Sequence, residues 1–163
     1  MRYFLSLGSN QGDRKENISR ALSLLQKEGV EIRRMSSLYE TEPVDFTSQP
    51  WFINRVAEVQ ASVEPDSLLT LIKSIEQKMG RDVRARKGPR IIDIDIIMAE
   101  DEVIHTEDLE IPHPRMQKRN FVLTPFAEIS PDTLHPVLKR HIKELLEESK
   151  DISAVHKIRE KRR

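Results

Sequence analysis

At 163 residues the chain is long enough for one domain that buries a core without disulfide or metal staples. It has no cysteine, which excludes a disulfide framework, a zinc-thiolate site and a thiol nucleophile. Lysine plus arginine equals aspartate plus glutamate at 27 each, so net charge exerts no general pull toward nucleic acid.

Residues 2–7, RYFLSL, read as a strand ending at Gly8. The apolar stretch is too short for a signal peptide, and no run approaches the ~18 apolar residues of a membrane span. A soluble cytoplasmic protein is expected, with no membrane and no nucleic-acid partner. The following GSNQGDRK lacks the spacing of a phosphate-binding loop, and its simplest reading is a strand-to-helix turn. Asp13 is placed to cap a helix whose Ile18, Ala21, Leu22 and Leu25 recur at helical spacing, with Gly29 as its stop. Residues 30–39 and 51–62 read as strands. Between them Pro43 and Pro50 forbid regular pairing. Pro65 suits the first turn of a second helix carried by Leu68, Leu69, Ile72, Ile75 and Met79 and closed by Gly80. After a polar loop comes a strand within 88–97, then a hairpin and loop, then helices near 120–128 and 137–149. The basic tail, about 155–163, is expected to be frayed and solvated. There is no linker long enough for a second domain, so residues 1–163 form one unit. The order β-α-β-β-α-β fits a ferredoxin-like α+β fold, an antiparallel sheet with helices on one face.

The strand GPRIIDIDII, residues 88–97, carries Asp93 and Asp95 inside a run of isoleucines. Residues two apart on a strand share a face, so the carboxylates lie side by side. At ~5 Å and an effective dielectric of ~20 they repel by about 3 kcal/mol. Acids paired on a solvated strand face need no special role, but Ile91, Ile92, Ile94, Ile96 and Ile97 point to a central strand. There, two carboxylates mark a divalent-cation site, because magnesium takes one or two carboxylates and fills the rest with water and phosphate oxygens. The preceding RDVRARKGPR sets Arg81, Arg84, Arg86, Lys87 and Arg90 against one acid. Such a run is ordinarily a solvated face or an RNA contact. Leading directly into an acidic pair, it suits a nucleoside triphosphate better, with arginine forks on some oxygens and magnesium on others.

Phe52 and Asn54 share one strand face, where an amide can satisfy the core or bond the edge of a flat heterocycle stacked on the ring. Phe121 reads as a residue at a helix start. His113, between Pro112 and Pro114 and near Arg115, Lys118 and Arg119, is a candidate phosphate contact.

Taken together, LSLGSNQGD, SSLYETEPV, QPWFINRV, RKGPRIIDIDII and PHPRMQKRNFVLTPFAEI resemble the 6-hydroxymethyl-7,8-dihydropterin pyrophosphokinases of folate synthesis over nearly the whole chain. The resemblance implies transfer of the pyrophosphoryl group of ATP to the pterin hydroxymethyl oxygen, releasing AMP, by a monomer with mobile loops over its active site. It implies two magnesium ions on Asp93 and Asp95. It implies phosphate contacts from Arg81, Arg90 and His113, helped by Arg84, Arg86 and Arg119, with Arg81, Arg90, Asp93 and Asp95 carrying catalysis. Lys73, Glu76 and Ile96 would meet the nucleotide. Phe52 and Phe121 would sandwich the pterin, Asn54 would bond its edge, and Thr41, Pro43 and Val44 would line its pocket. The chain departs from the family pattern at Phe52, where Tyr often stands, at Lys87, where Trp often stands, and in the register of Arg84. The principal alternative is a ferredoxin-like RNA-binding module, which needs exposed aromatics on the sheet in a basic surround.

Overall fold

The computed structural model describes residues 1–44, 48–80 and 90–159. In chain order these form β1 (Arg2–Ser9), α1 (Arg14–Lys27), β2 (Glu31–Met35), β3 (Tyr39–Thr41), β4 (Phe52–Gln60), α2 (Pro65–Lys78) and β5 (Asp93–Ala99). There follow β6 (Ile104–His105), β7 (Glu110–Ile111), α3 (Asn120–Ile129), α4 (Ile142–Glu148) and β8 (Val155–Lys157). The main sheet runs β5-β1-β4-β3-β8, with β2 also paired to β4, and every pairing is antiparallel. The β6–β7 hairpin forms a separate two-stranded sheet. Among the described residues no helix is long and apolar enough to cross a membrane.

Helix α1 begins where Asp13 accepts the Glu16 N–H at 3.1 Å and buries Ile18, Ala21, Leu22 and Leu25. Helix α2 opens on Pro65 and buries Leu68, Ile72 and Ile75. Both pack with Tyr3, Leu5, Leu7, Ile53, Ala57 and Val59, the inward residues of β1 and β4. A second apolar layer lies on the other face. There Phe4, Val56 and Ile97 pack against Val122, Leu123 and Phe126 of α3 and Ile142 and Leu145 of α4. The helices therefore cover both faces of the sheet, and the expectation of one helical face is corrected. Phe4 of β1 and Val56 of β4 put apolar side chains on this second face, so it too needs a cover.

Three further expectations change. The stretch 30–39 is two strands, because the Ser36 side chain accepts the Val56 N–H at 3.0 Å and interrupts the ladder. The Asp93/Asp95 strand lies at the sheet edge, not its centre. Its isoleucines reflect helices on both faces, while its outer backbone is satisfied elsewhere: Ile94 N–H donates to Glu76 at 2.9 Å, and the Ile97 carbonyl accepts from His113 N–H at 2.9 Å. The tail is not frayed at its start. Val155–Lys157 pairs with Tyr39–Thr41, and Ile158 N–H donates to the Leu38 carbonyl at 2.8 Å.

His135 is buried, and its Nδ1 accepts the N–H groups of Val137 and Leu138 at 3.2 and 3.0 Å. Burial lowers its pKa below the ordinary imidazole value. The folded state thus prefers neutral His135, and its contribution to stability is present above the unfolded pKa and lost as pH falls through that value toward the folded one. Replacing it with asparagine, which keeps an acceptor, should flatten stability against pH on the acid side. Urea melts of both proteins across that range check this, and parallel curves would refute it.

Candidate active site

Gly8 stands in register between Asn54 on β4 and Asp93 on β5, and Ser6 stands opposite Asp95. A Cβ on Gly8 would lie 2.2 Å from Asn54 Oδ1, so glycine is what lets the Asn54 amide lie against β1. Asn54 is itself buried and donates through Nδ2 to Thr41 Oγ1 at 2.5 Å. A cleft opens in front of this row. It gathers Thr41, Pro43, Val44, Phe52, Asn54 and Phe121, every residue expected to meet a pterin, with Asp93, Asp95, Arg90 and Arg119. Each aromatic wall carries a guanidinium: Arg90 lies 5.6 Å from the Phe52 ring centroid and Arg119 lies 5.6 Å from that of Phe121.

Arg90 is held from several directions. Its Nη1 donates to Asp93 Oδ2 at 2.8 Å. Its backbone N–H donates to Asn10 Oδ1 at 2.7 Å, while its carbonyl accepts from Asn10 N–H at 3.1 Å. Asn10 also donates through Nδ2 to Gln49 Oε1 at 2.7 Å and to the Pro50 carbonyl at 3.0 Å. One buried amide thus ties the end of β1 to both chain segments that flank the cleft. The strand-to-helix turn is therefore part of the site, although Asn10 drew no notice in the sequence.

A second groove runs along the outer side of β5, lined by Leu69, Ile94, Asp95, Ile96, the β6–β7 hairpin and His113. Asp95 lines both clefts and stands between them. His113 Nδ1 accepts the Arg115 N–H at 3.2 Å, which leaves Nε2 as the protonated nitrogen. Burial, reinforced by Arg119 and Arg115 and opposed by Asp93, pushes its pKa down to about 4. At neutral pH His113 offers a hydrogen-bond donor rather than a charge. Lys73 is exposed on α2, and Glu76 is buried with its carboxylate on Ile94 N–H; neither lines either cleft. Arg81, Arg84, Arg86 and Lys87 lie outside the described residues.

The donor set fits a hard divalent cation. Asp93 and Asp95 supply carboxylate oxygens on one strand face, both partly exposed in the first cleft, and Asp95 also lines the second. Among the described residues they belong to no group of three or more acidic or imidazole ligands. Two carboxylates with space for water and phosphate oxygens is the set magnesium prefers.

The fold is α+β, and its cleft of two aromatic rings, a buried amide and two carboxylates borders a second groove along β5. Residues 4–131 match the family model described as 7,8-dihydro-6-hydroxymethylpterin-pyrophosphokinase, and the chain belongs to that family. It is 42% identical over 146 residues to the 2-amino-4-hydroxy-6-hydroxymethyldihydropteridine pyrophosphokinase of Aquifex aeolicus, covering 90% of this chain and 91% of that one. It is 45% identical over 127 residues to the enzyme of the same name from Bacillus subtilis, covering 77% and 76%. The folic acid synthesis protein fol1 of Schizosaccharomyces pombe is 46% identical over 145 residues, 88% of this chain, but the chain spans only 20% of that protein's length. Among solved structures, Plasmodium falciparum HPPK-DHPS superposes with a TM-score of 0.71 at 20% identity, over 90% of this chain and 44% of that one, a likeness of fold.

The RNA-binding alternative finds no support. Helices α3 and α4 cover the sheet face that would have to stay open, and Phe52 lies in a cleft shared with two carboxylates.

Proposed function

We propose that the chain transfers the pyrophosphoryl group of ATP to the hydroxymethyl group of 6-hydroxymethyl-7,8-dihydropterin in folate synthesis. The observation that carries this is Asp95, which borders both the aromatic, amide-edged cleft and the β5 groove. The pterin ring stacks between Phe52 and Phe121 while Asn54 reads its edge, and the nucleotide lies along Ile96 and His113. The hydroxymethyl oxygen forms a bond to the β-phosphorus, the bond from that phosphorus to the α,β-bridging oxygen breaks, AMP leaves, and one proton is released. Asp93 and Asp95 would hold two magnesium ions, which supply charge neutralisation across the polyphosphate. Arg90, held by Asn10 and Asp93, contacts phosphate oxygens, and His113 donates through Nε2. The basic run 81–90 completes the grip on phosphate by its charge, and Lys73 and Glu76 support the nucleotide from α2. The β5-β1-β4-β2 order supports a ferredoxin-like description of the sheet, with loops closing over bound substrates. We read the protein as a cytoplasmic monomer. Incubation with ATP, magnesium and the pterin should yield AMP in step with the pterin diphosphate; stoichiometric ADP would refute the assignment.

Phe121→Ala should weaken pterin binding by roughly tenfold and ATP binding much less, since it removes one face of the stack. Titration calorimetry with each ligand tests this. Equal losses would make Phe121 a packing residue only.

A further inference from the structure

The segment after α4 lies beyond residues 4–131, the part matched to the family. Within five residues it touches both walls of the pterin cleft. At one end Asp151 Oδ2 accepts the Asn120 N–H at 2.9 Å, and the Asp151 carbonyl accepts from Asn120 Nδ2 at 3.0 Å. At the other end Ala154 N–H donates to Glu42 Oε1 at 3.3 Å, and the Ala154 carbonyl accepts from Glu42 N–H at 3.0 Å. Asn120 sits between Arg119 and Phe121, and Glu42 between Thr41 and Pro43, and all of these neighbours line the cleft. Val155 then continues the row Phe52–Thr41–Val155 across β4, β3 and β8.

We propose that residues 151–155 form a strap that sets the separation of the two pterin-binding walls, with Asp151 as its positioning residue. The proposal rests on the pterin assignment made above.

Three observations argue for it. Helix α3 has no side-chain cap of its own, so Asp151 supplies from a distance the acceptor that its first N–H requires. Burial would raise the Asp151 pKa, but the N–H groups of Asn120 and Ser153 outweigh burial and lower it, as expected of a carboxylate bound in its charged form. Asn120 is held in this pose although its Oδ1 is buried with no hydrogen-bond partner among the described residues. Its orientation follows the bonds to Asp151 and not its own full satisfaction. Neighbouring Ile152 is 97% exposed, so the segment is fixed by these polar ties and not by that side chain.

The test compares wild type, Asp151→Ala, Asp151→Asn and, as a control in the same segment, Ile152→Ala. Asp151→Ala should raise the pterin KM roughly tenfold, the scale of one charge-assisted hydrogen bond, with the ATP KM within about twofold. Asp151→Asn, which keeps one acceptor, should fall between, and Ile152→Ala should match wild type. Should Asp151→Ala fail to fold, the split between the two KM values is read from Asp151→Asn. Equal changes in both KM values, or none, overturn the strap. A wild-type protein that makes no AMP with this pterin would instead overturn the functional reading. In that case, hydrogen exchange at Thr41–Glu42 still decides whether Asp151 holds the two walls: faster exchange in Asp151→Asn supports it, and unchanged exchange refutes it.

Discussion

Asparagine in place of Asp95 should cut turnover on the order of a thousandfold while leaving the protein folded. The substitution keeps shape and removes charge from the residue that borders both clefts. A neutral amide is a poor ligand for a hard cation, and it no longer balances cationic charge around a polyphosphate. The fold should hold, because asparagine keeps the shape of the side chain and Asp95 is partly exposed. Asp93→Asn should lose comparable activity and also some stability. Asp93 bonds Arg90 Nη1 at 2.8 Å, so its charge is already opposed in the folded protein and its removal sacrifices an ion pair. Steady-state assays with increasing magnesium, beside thermal melts, separate these effects. Near wild-type turnover in either variant would overturn the cation role. A large stability gain in Asp93→Asn would overturn the part given to Arg90.

The two aspartates show what could be read from the sequence. Their shared face followed from strand periodicity, and helices α1 and α2 followed from Asp13, Pro65 and the spacing of their apolar residues. Strand periodicity already put Phe52 and Asn54 on one face; their pterin role, Phe121 and the Thr41–Val44 segment came from the family resemblance, and the fold gathers them all in one cleft. What escaped was non-local. An isoleucine-rich strand looks central whether its outer side meets another strand or, as here, Glu76 and the His113 backbone. Phe4 and Val56 on the second face cannot be told by pattern from Leu5 and Ala57 on the first, so a second helical layer was missed. Asn10 in a polar turn resembles any turn asparagine, because its partners lie 39, 40 and 80 residues away. A three-residue strand such as Val155–Lys157 has no periodicity to show, and only β3 beside it makes it a strand.

Gly8 is the other position where a small change should have a large effect. Alanine there places a methyl group 2.2 Å from Asn54 Oδ1, 3.3 Å from its Cγ and 3.5 Å from Phe52 Cδ1. The approach to Oδ1 is far inside contact distance, so something must move. Asn54 is buried and bonded to Thr41 Oγ1 at 2.5 Å, so the amide cannot yield without breaking that bond or pressing into the cleft. Overpacking of this kind costs about 1–3 kcal/mol in stability. The loss in pterin affinity should be about a hundredfold, at the upper end of that range, because displacing Asn54 removes the proposed edge contact and intrudes on the Phe52 wall together. ATP binding, proposed along the β5 groove, should change little. A second substitution separates clash from chemistry. With Asn54→Ala added to Gly8→Ala, the collision is gone and the melting temperature should recover much of its loss. Pterin affinity should not recover, since the edge-reading amide is absent. If the double variant regained pterin binding, Asn54 would be a packing residue and the edge contact would have to come from elsewhere in the cleft. If Gly8→Ala alone bound pterin as well as wild type, the requirement for glycine beside Asn54 would fall.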